Sequence, residues 1–271
     1  MDKRERVDLL LVEKGFFETR EQAKRAVMAG LVFSGEKRID KPGMKIDSES
    51  VITVKGSKMK YVGRGGLKLE RAIECFKLNL KGITAIDIGA STGGFTDCML
   101  QNGANKVYAV DVGYNQLAWK LRQDERVIVM ERLNFRYAEP EDFEEDKPAF
   151  ATIDVSFISL RNILPRLTEI IEKEGFVVAL VKPQFEAGRE EVGKKGIVRE
   201  AKTHIRVLLE MVDFSRQLGY SVCGLTYSPI TGGDGNIEFL LLLQWTGTGE
   251  VLDALNPEQV VAEAHEQLKK T

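Results

Sequence analysis

Short apolar runs and amphipathic segments alternate along the chain from Lys81 onward. Seven apolar runs have the length and composition of buried strands, namely residues 84–88, 106–113, 127–132, 149–157, 176–182, 220–227 and 237–245. Strands that alternate with helical segments are typical of a doubly wound sheet. The pattern therefore predicts a Rossmann-like α/β fold with a seven-stranded, mostly parallel sheet.

The segments around these strands have helical periodicity. They are residues 67–76, 95–101, 116–124, 158–175, 203–219 and 257–270. In the segment 158–175 we expect one long helix with a kink at Pro165, because a proline inside a helix removes a hydrogen bond. The polar, glycine-bearing residues 186–200 predict a mobile loop.

The first 60 residues predict a separate, small α+β domain. Val7–Gly15 has one apolar helical face, and Thr19 with Gln22 three residues later is typical of a capped helix start. Two short strand-like runs follow the second helix. Because residues 61–66 are rich in glycine, we expect a flexible linker there, which divides the chain into domains 1–60 and 67–271.

Charge is distributed unevenly between these parts. The whole chain carries a net charge of −2, but residues 1–81 hold 19 Lys and Arg against 12 Asp and Glu. Residues 82–271 hold 20 against 29. The split indicates a basic module attached to a more acidic body.

Cysteine usage and apolar segment length exclude several classes of protein. Cys75, Cys98 and Cys223 are odd in number and far apart, which is typical of reduced cysteines in a cytosolic protein. The first residues do not resemble a signal peptide, and no apolar run approaches the ~20 residues of a membrane span. With two histidines and no CxxC pair, no metal site is expected. We therefore expect a cytoplasmic protein, and we also expect it to be a monomer.

The stretch Thr84–Asp97 combines a buried strand, a turn of small residues and a helix start. Its glycines allow the backbone to turn sharply and to approach a ligand closely. The helix that begins near Phe95 directs unpaired N–H groups at the turn. This is the arrangement of a nucleotide-type site at the carboxyl end of a first strand.

Asp111 ends the second strand, 22 residues after Gly89, where a carboxylate usually accepts hydrogen bonds from ribose hydroxyls. NAD and S-adenosylmethionine (SAM) both have such hydroxyls, so this residue leaves the cofactor open. The turn reads G-A-S-T-G-G instead of the dinucleotide pattern G-x-G-x-x-G, which favours SAM. The glycine turn, residues 89–94, and the Asp111 carboxylate are therefore the candidate cofactor contacts.

Four ionisable residues stand where apolar side chains or plain turns are expected: Lys68, Asp154, Lys182 and Glu238. Asp154 and Lys182 lie near the carboxyl ends of consecutive strands, where ligands bind in such sheets. A carboxylate at the start of the last apolar strand is costly to bury without a partner. Each residue alone fits a structural ion pair, but the four together around one crevice indicate proton-transfer chemistry.

The first domain resembles the RNA-binding module named after ribosomal protein S-four. The likeness rests on Arg6–Gly15, Thr19–Gly30, Val32–Gly35 and Lys41–Gly43. It implies a basic helical face that docks on the phosphates of folded RNA, whereas the charges alone also fit a solvated face. The candidate RNA contacts are Arg4, Arg6, Arg20, Lys24, Arg25, Lys41 and, in the linker, Arg64.

Over nearly its full length the chain resembles the TlyA family, known as haemolysin A and as rRNA 2′-O-ribose methyltransferases. The resemblance rests on the strings YVGRGGLKLE, DIGASTGGFTDCML, VDVGYNQL, DVSFISL, VKPQFE and GNIEFL. It implies an FtsJ-like, SAM-dependent enzyme that methylates cytidine in ribosomal RNA within ribosomal subunits. It also implies that Lys68, Asp154, Lys182 and Glu238 are the catalytic residues. The SAM contacts that it implies are Asp87, Gly89, Ala90, Ser91, Thr92, Gly93, Gly94, Phe95, Thr96, Asp111 and Val112. A membrane-active cytolysin and an inert ribosome-binding protein remain as alternatives.

Overall fold

The computed structural model describes residues 4–14, 16–17, 19–35, 37–48, 50–54, 60–143, 146–193, 195–251 and 255–268. The chain forms two compact units, Met1–Lys60 and Tyr61–Thr271. Among these described residues, one hydrophobic core lies within the first unit and two lie within the second.

The first unit packs two helices against short antiparallel strands. Its elements are β1 (Arg4–Arg6), α1 (Val7–Glu13), α2 (Arg20–Met28), β2 (Val32–Ser34), β3 (Lys37–Arg38), β4 (Lys45–Asp47) and β5 (Ile52–Val54). Strand β1 pairs with β4, while β3, β2 and β5 form a second sheet. The Thr19 hydroxyl caps α2 by accepting a hydrogen bond from the Gln22 N–H at 3.3 Å, as its position predicts. Gly15, the predicted end of the first helix, lies outside the described residues.

The second unit contains a seven-stranded sheet. Its strands are β6 (Thr84–Ile88), β7 (Lys106–Asp111), β8 (Val127–Glu131), β9 (Phe150–Ile153), β10 (Phe176–Val181), β11 (Tyr220–Tyr227) and β12 (Phe239–Trp245). Their order is β11-β12-β10-β9-β6-β7-β8. Strand β12 is antiparallel to both of its neighbours, and the other pairs are parallel. The predicted mostly parallel sheet is therefore confirmed.

Helices cover both faces of this sheet. They are α3 (Gly65–Phe76), α4 (Gly94–Gln101), α5 (Trp119–Arg122), α6 (Leu164–Ile170), α7 (Pro183–Glu186), α8 (Ala201–Gln217) and α9 (Pro257–Leu268). Alternate strand residues enter different cores, since Ile86 packs with α6 and α8 whereas Ala85 packs with α3 and α4. This two-sided burial is why the strands appear as continuous apolar runs in the sequence. Within the described residues, no helix is both long and apolar enough to cross a membrane.

The single long helix expected over residues 158–175 is wrong. A short 3-10 turn, Leu160–Asn162, is followed by α6, in whose first turn Pro165 lies. A proline is tolerated there because the first turn of a helix does not need its N–H groups. The strand expected over residues 149–157 is also shorter, so Asp154 lies just beyond its end.

The glycine-rich segment 61–66 is part of the second unit instead of a flexible linker. Tyr61 is only 3% exposed, and the Val62 N–H donates a hydrogen bond to the Asp97 carboxylate at 2.8 Å. A Cβ atom on Gly66 would lie 2.3 Å from the Tyr61 ring. Glycine is needed here because the chain folds back closely on itself. The flexibility expected from the glycine content is therefore not present, because the segment is closely packed.

Candidate active site

The turn after β6 is fixed by the buried carboxylate of Asp87. It accepts hydrogen bonds from the Thr96 N–H at 2.9 Å, the Thr96 hydroxyl at 2.7 Å and the Thr152 hydroxyl at 3.0 Å. Burial raises the pKa of the Asp87 carboxyl group to about 6, although these hydrogen bonds act in the opposite direction. Asp87 therefore joins β6 to the start of α4 and to β9, and it holds the turn Gly89–Gly93 in place.

Asp111 lies beside the same turn. Its carboxylate accepts hydrogen bonds from the Ser91 N–H at 2.8 Å and from the Gly113 N–H at 2.6 Å. Val112 follows and is largely exposed at the end of β7. The structure thus brings the predicted turn and the predicted carboxylate together, with Gly89, Ala90, Ser91 and Thr92 lining a cavity of about 460 Å³.

The four ionisable residues also line this cavity and form a chain of alternating charges. Lys68 Nζ lies 2.7 Å from Glu238 Oε2 and 3.6 Å from Asp154 Oδ2. Lys182 Nζ lies 2.6 Å from Asp154 Oδ1 and donates a hydrogen bond to the Ser156 hydroxyl at 3.0 Å. Asp154 therefore lies between two ammonium groups, and Glu238 pairs with one of them.

Sheet topology explains why residues so distant in sequence meet here. Asp154 and Lys182 directly follow the parallel strands β9 and β10, so both lie at the carboxyl edge of the sheet. Strand β12 runs in the opposite direction, which places its beginning at this edge. In its register Phe239 pairs with Val181, so Glu238 and Lys182 are neighbours. The first turn of α3 adds Lys68.

Neighbouring carboxylates favour the charged form of Lys68 despite its burial. Side-chain exposure is 10% for Lys68, 8% for Lys182 and 3% for Glu238. Burial alone would lower the pKa of Lys68, but Asp154 and Glu238 together outweigh it, so that this pKa is raised above its usual value. The cluster thus combines two basic and two acidic side chains, and opposite charges at these distances compensate the cost of burying each one.

An exposed aromatic residue at the cavity escaped the sequence-based prediction. Phe157 is 90% exposed, adopts a positive φ of 63°, and its ring centre lies 5.2 Å from that of Phe185. Both rings line the cavity, and Lys182 Nζ lies 5.8 Å from the centre of the Phe185 ring. In the sequence, Phe157 appears to extend an apolar strand. The polar pair Asp154 and Ser156 was the available signal that the strand had ended.

Two of the predicted RNA contacts share one buried carboxylate in the first unit. Asp8 is fully buried and accepts hydrogen bonds from Arg6 at 3.0 Å and from Arg20 at 2.8 Å. These hydrogen bonds, those from Arg6 foremost, lower the pKa of the Asp8 carboxyl group to about 2. Lys24 pairs with Glu21 at 3.4 Å. Arg4, Arg25 and Lys41 are exposed on the same unit, and Arg64 is exposed at the cavity of the second unit.

Two family models match the chain: the FtsJ-like methyltransferase over residues 61–245 and the S4 domain over residues 5–52. A Bacillus subtilis (strain 168) protein provisionally named rRNA methyltransferase YqxC is 63% identical, covering 99% of this chain and 96% of the relative. The 16S/23S rRNA (cytidine-2′-O)-methyltransferase TlyA of Mycobacterium tuberculosis is 40% identical, covering 97% and 98%.

A solved structure from Streptococcus thermophilus, which bears a provisional hemolysin name, is 58% identical to this chain. The match covers 100% of this chain and 98% of that one, with a TM-score of 0.79. Sequence and structure agree over both units. The chain belongs to the FtsJ-like methyltransferases and, among them, to the TlyA family.

Proposed function

We propose that this protein transfers a methyl group from SAM to the 2′-hydroxyl of a cytidine in ribosomal RNA within a ribosomal subunit. The observation that carries the proposal is the ion-paired cluster of Lys68, Asp154, Lys182 and Glu238 beside the turn Gly89–Gly93. Support comes from the relatives whose names specify ribosomal RNA or cytidine 2′-O-methylation.

The turn and Asp111 fit SAM. The Asp111 carboxylate is held at the cofactor turn by two backbone N–H groups, with acceptor capacity left for ribose hydroxyls. The backbone of Gly89–Gly93 and the first turn of α4 would hold the methionine end, and Val112 would lie against the adenine. SAM supplies an electrophilic methyl group attached to a positively charged sulfur.

The cluster fits activation of a ribose hydroxyl. A 2′-hydroxyl is a poor nucleophile, so a neighbouring group has to stabilise negative charge on its oxygen as the bond to the methyl carbon forms and the carbon–sulfur bond breaks. An ammonium group has three N–H donors. Asp154 and Ser156 engage two of those of Lys182, which leaves one for the hydroxyl oxygen. As an ammonium group, Lys182 stabilises the developing oxyanion while the hydroxyl proton passes to water; as a neutral amine, it accepts that proton itself. Asp154 holds Lys182, and Glu238 orients Lys68.

The aromatic pair at the cavity fits a nucleobase. Single-stranded RNA bases stack on aromatic side chains once they leave a helix. Phe157 presents almost its whole ring to solvent, and Phe185 supports it from one side. We assign these two rings to the base of the target nucleotide, while the basic residues of the first unit, Arg6 and Arg20 among them, bind phosphates of the folded RNA.

The test of this function is transfer of tritiated methyl groups from SAM to ribosomal subunits purified from cells that lack the protein. We expect incorporation into ribosomal RNA, with the label on the 2′-oxygen of a cytidine. An inert ribosome-binding protein would bind the subunits without incorporation, and a cytolysin would release haemoglobin from erythrocytes without modifying RNA. If neither ribosomal subunit incorporates label, the proposal is overturned.

Replacing Asp111 by alanine is expected to weaken SAM binding by roughly 10–100-fold, the range for losing hydrogen bonds to a charged group. Calorimetry with SAM measures the change. The matched control is Asp146→Ala, because Asp146 pairs with Lys106 at the opposite end of β7. Equal SAM affinity in both variants would contradict the assignment of Asp111 to the cofactor.

Replacing Asp8 by asparagine is expected to weaken binding to ribosomal subunits about tenfold, although it removes a negative charge. Counting charges predicts tighter binding, but Arg6 and Arg20 lose the carboxylate that holds their guanidinium groups. Filter binding measures the affinity. Glu21→Gln is the control, because it also removes a carboxylate from the same unit and is expected to leave binding equal or slightly tighter.

Asp8→Asn is also expected to change how the stability of the first unit depends on pH. Because the pKa of Asp8 is lowered to about 2 in the folded unit, the ionised carboxylate stabilises this unit above pH ~4. That stabilisation, about 1–2 kcal/mol after allowance for the exposed arginines, is lost as the pH falls from about 4 to about 2. Asp8→Asn should lack this loss. If Asp8→Asn instead binds ribosomal subunits more tightly than the wild-type protein, as the loss of a negative charge alone predicts, Asp8 does not position the arginines.

A further inference from the structure

Helix α3 carries three cations on one face. Arg64, the residue that precedes the helix, Lys68 and Arg71 are four and then three residues apart, and such positions lie above one another on a helix. Lys68, in the middle, is paired with Glu238 and Asp154. Neither Arg64 nor Arg71 has a carboxylate partner in the part of the chain that the structure describes.

Arg71 is held beside the active site by an aromatic ring. Its guanidinium carbon lies 5.5 Å from the centre of the Tyr227 ring, a distance at which cation–π attraction is effective. Its Nε is buried without an acceptor among the described residues, while the residue as a whole is only partly buried. Tyr227 ends β11 and pairs with Phe239, the residue after Glu238. Arg71 therefore lies one helical turn beyond Lys68, at the same edge of the sheet.

Such an arginine is suited to bind a phosphate. A guanidinium group whose orientation is already fixed presents its terminal N–H groups as a rigid fork, which matches a phosphodiester. An unpaired, half-buried guanidinium also gains more from an anion than a fully hydrated one does. Arg64 and Arg71 are separated by about 10 Å along the helix axis, at ~1.5 Å per residue, and the catalytic cluster lies between them.

We propose that Arg71 binds a phosphodiester group next to the target nucleotide, so that the RNA strand runs along α3 from Arg64 past Lys68 to Arg71. This inference rests on the proposed function, because it takes RNA as the substrate of the cluster. It adds a binding residue outside the cavity and defines the path of the RNA strand across the second unit.

The test compares Arg71→Gln with Lys77→Gln in the full-length protein, using ribosomal subunits from cells that lack the protein. Lys77 caps the same helix about half a turn around its axis from Lys68, so the control removes the same charge from another face. For Arg71→Gln, we expect the subunit concentration at half-maximal single-turnover rate to rise about tenfold. The rate at saturation and SAM affinity should stay unchanged, and the melting temperature should fall only slightly, through loss of the cation–π contact with Tyr227.

Salt dependence separates a phosphate contact from a structural role. Each phosphate contact with a single strand contributes roughly 0.7 to the slope of log affinity against log salt concentration. Arg71→Gln should therefore lower this slope by about 0.7, and Lys77→Gln should leave it unchanged. Arg71→Lys keeps the charge and should restore the slope while regaining only part of the affinity, because lysine lacks the planar fork.

Two failures have different meanings. If the wild-type protein methylates subunits and Arg71→Gln behaves like Lys77→Gln in both affinity and slope, the phosphate site is wrong and the proposed function stands. A loss of SAM affinity or of thermal stability in Arg71→Gln, with the salt slope unchanged, also overturns the site in favour of a structural role. If the wild-type protein transfers no methyl group to either subunit, the proposed function itself fails.

Discussion

Replacing Lys182 by methionine is expected to slow methyl transfer by roughly 10²–10⁴-fold, the usual contribution of a positioned acid–base group. The lysine contacts Asp154 and Ser156, and its side chain lines the cavity. Its benefit appears when negative charge develops on the ribose oxygen, so it stabilises the transition state more than either bound ligand. Single-turnover methylation at saturating SAM and subunits measures the loss, and both affinities should change little.

Two further variants distinguish chemistry from structure at this position. Lys182→Arg should also fail, because a guanidinium group is larger and remains protonated. Lys106→Met removes another paired lysine at the opposite end of the sheet and should methylate normally. If Lys182→Met loses thermal stability yet methylates at nearly the wild-type rate, Lys182 is only the structural partner of Asp154.

Replacing Gly89 by alanine is expected to destabilise the second unit by about 2–5 kcal/mol and to reduce methyl transfer at least tenfold. Gly89 has a φ of +87°, and a Cβ atom there would lie 2.5 Å from the backbone oxygen of Asp154. The strain therefore acts on the residue that lies between the two lysines. Thermal melts and single-turnover rates measure the two effects.

Gly82→Ala is the matched control for the backbone strain. Gly82 also has a positive φ, +78°, but a Cβ atom there would meet nothing within 4 Å. It should cost only about 1–2 kcal/mol for the left-handed conformation and leave the rate unchanged. If the two variants lose equal stability and both keep full activity, the contact between Gly89 and Asp154 does not position the catalytic cluster.

The sheet and the ionic cluster were accessible from the sequence because both leave a local signal. Strands buried on two faces appear as apolar runs, and a charged residue at the end of such a run is costly without a partner. Asp154 and Lys182 are charged residues directly after an apolar strand, and Glu238 is a charged residue directly before one. Their mutual pairing follows once the strands are ordered, since β12 reverses direction beside β10.

The features that the sequence did not reveal depend on contacts between distant segments. The glycines of residues 61–66 look like a flexible joint, and only the position of Tyr61 against Gly66 shows that close packing requires them. Phe157 looks like one more strand residue until the backbone turns at Asp154. The cation–π contact of Arg71 with Tyr227 joins α3 to a strand more than a hundred residues later in the chain. No local sequence pattern predicts such a contact.

The strand order has a consequence for synthesis of the protein. Strand β12 lies between β10 and β11, although both precede it in the chain. Among the described strands β11 has no other neighbour, so it joins the sheet only when residues 239–245 are available. The same strand brings Glu238 to Lys68, across 170 positions of sequence. During synthesis, the basic N-terminal unit is therefore complete long before the ionic cluster can form. Only a chain in which β12 has been inserted into the sheet can be catalytically active.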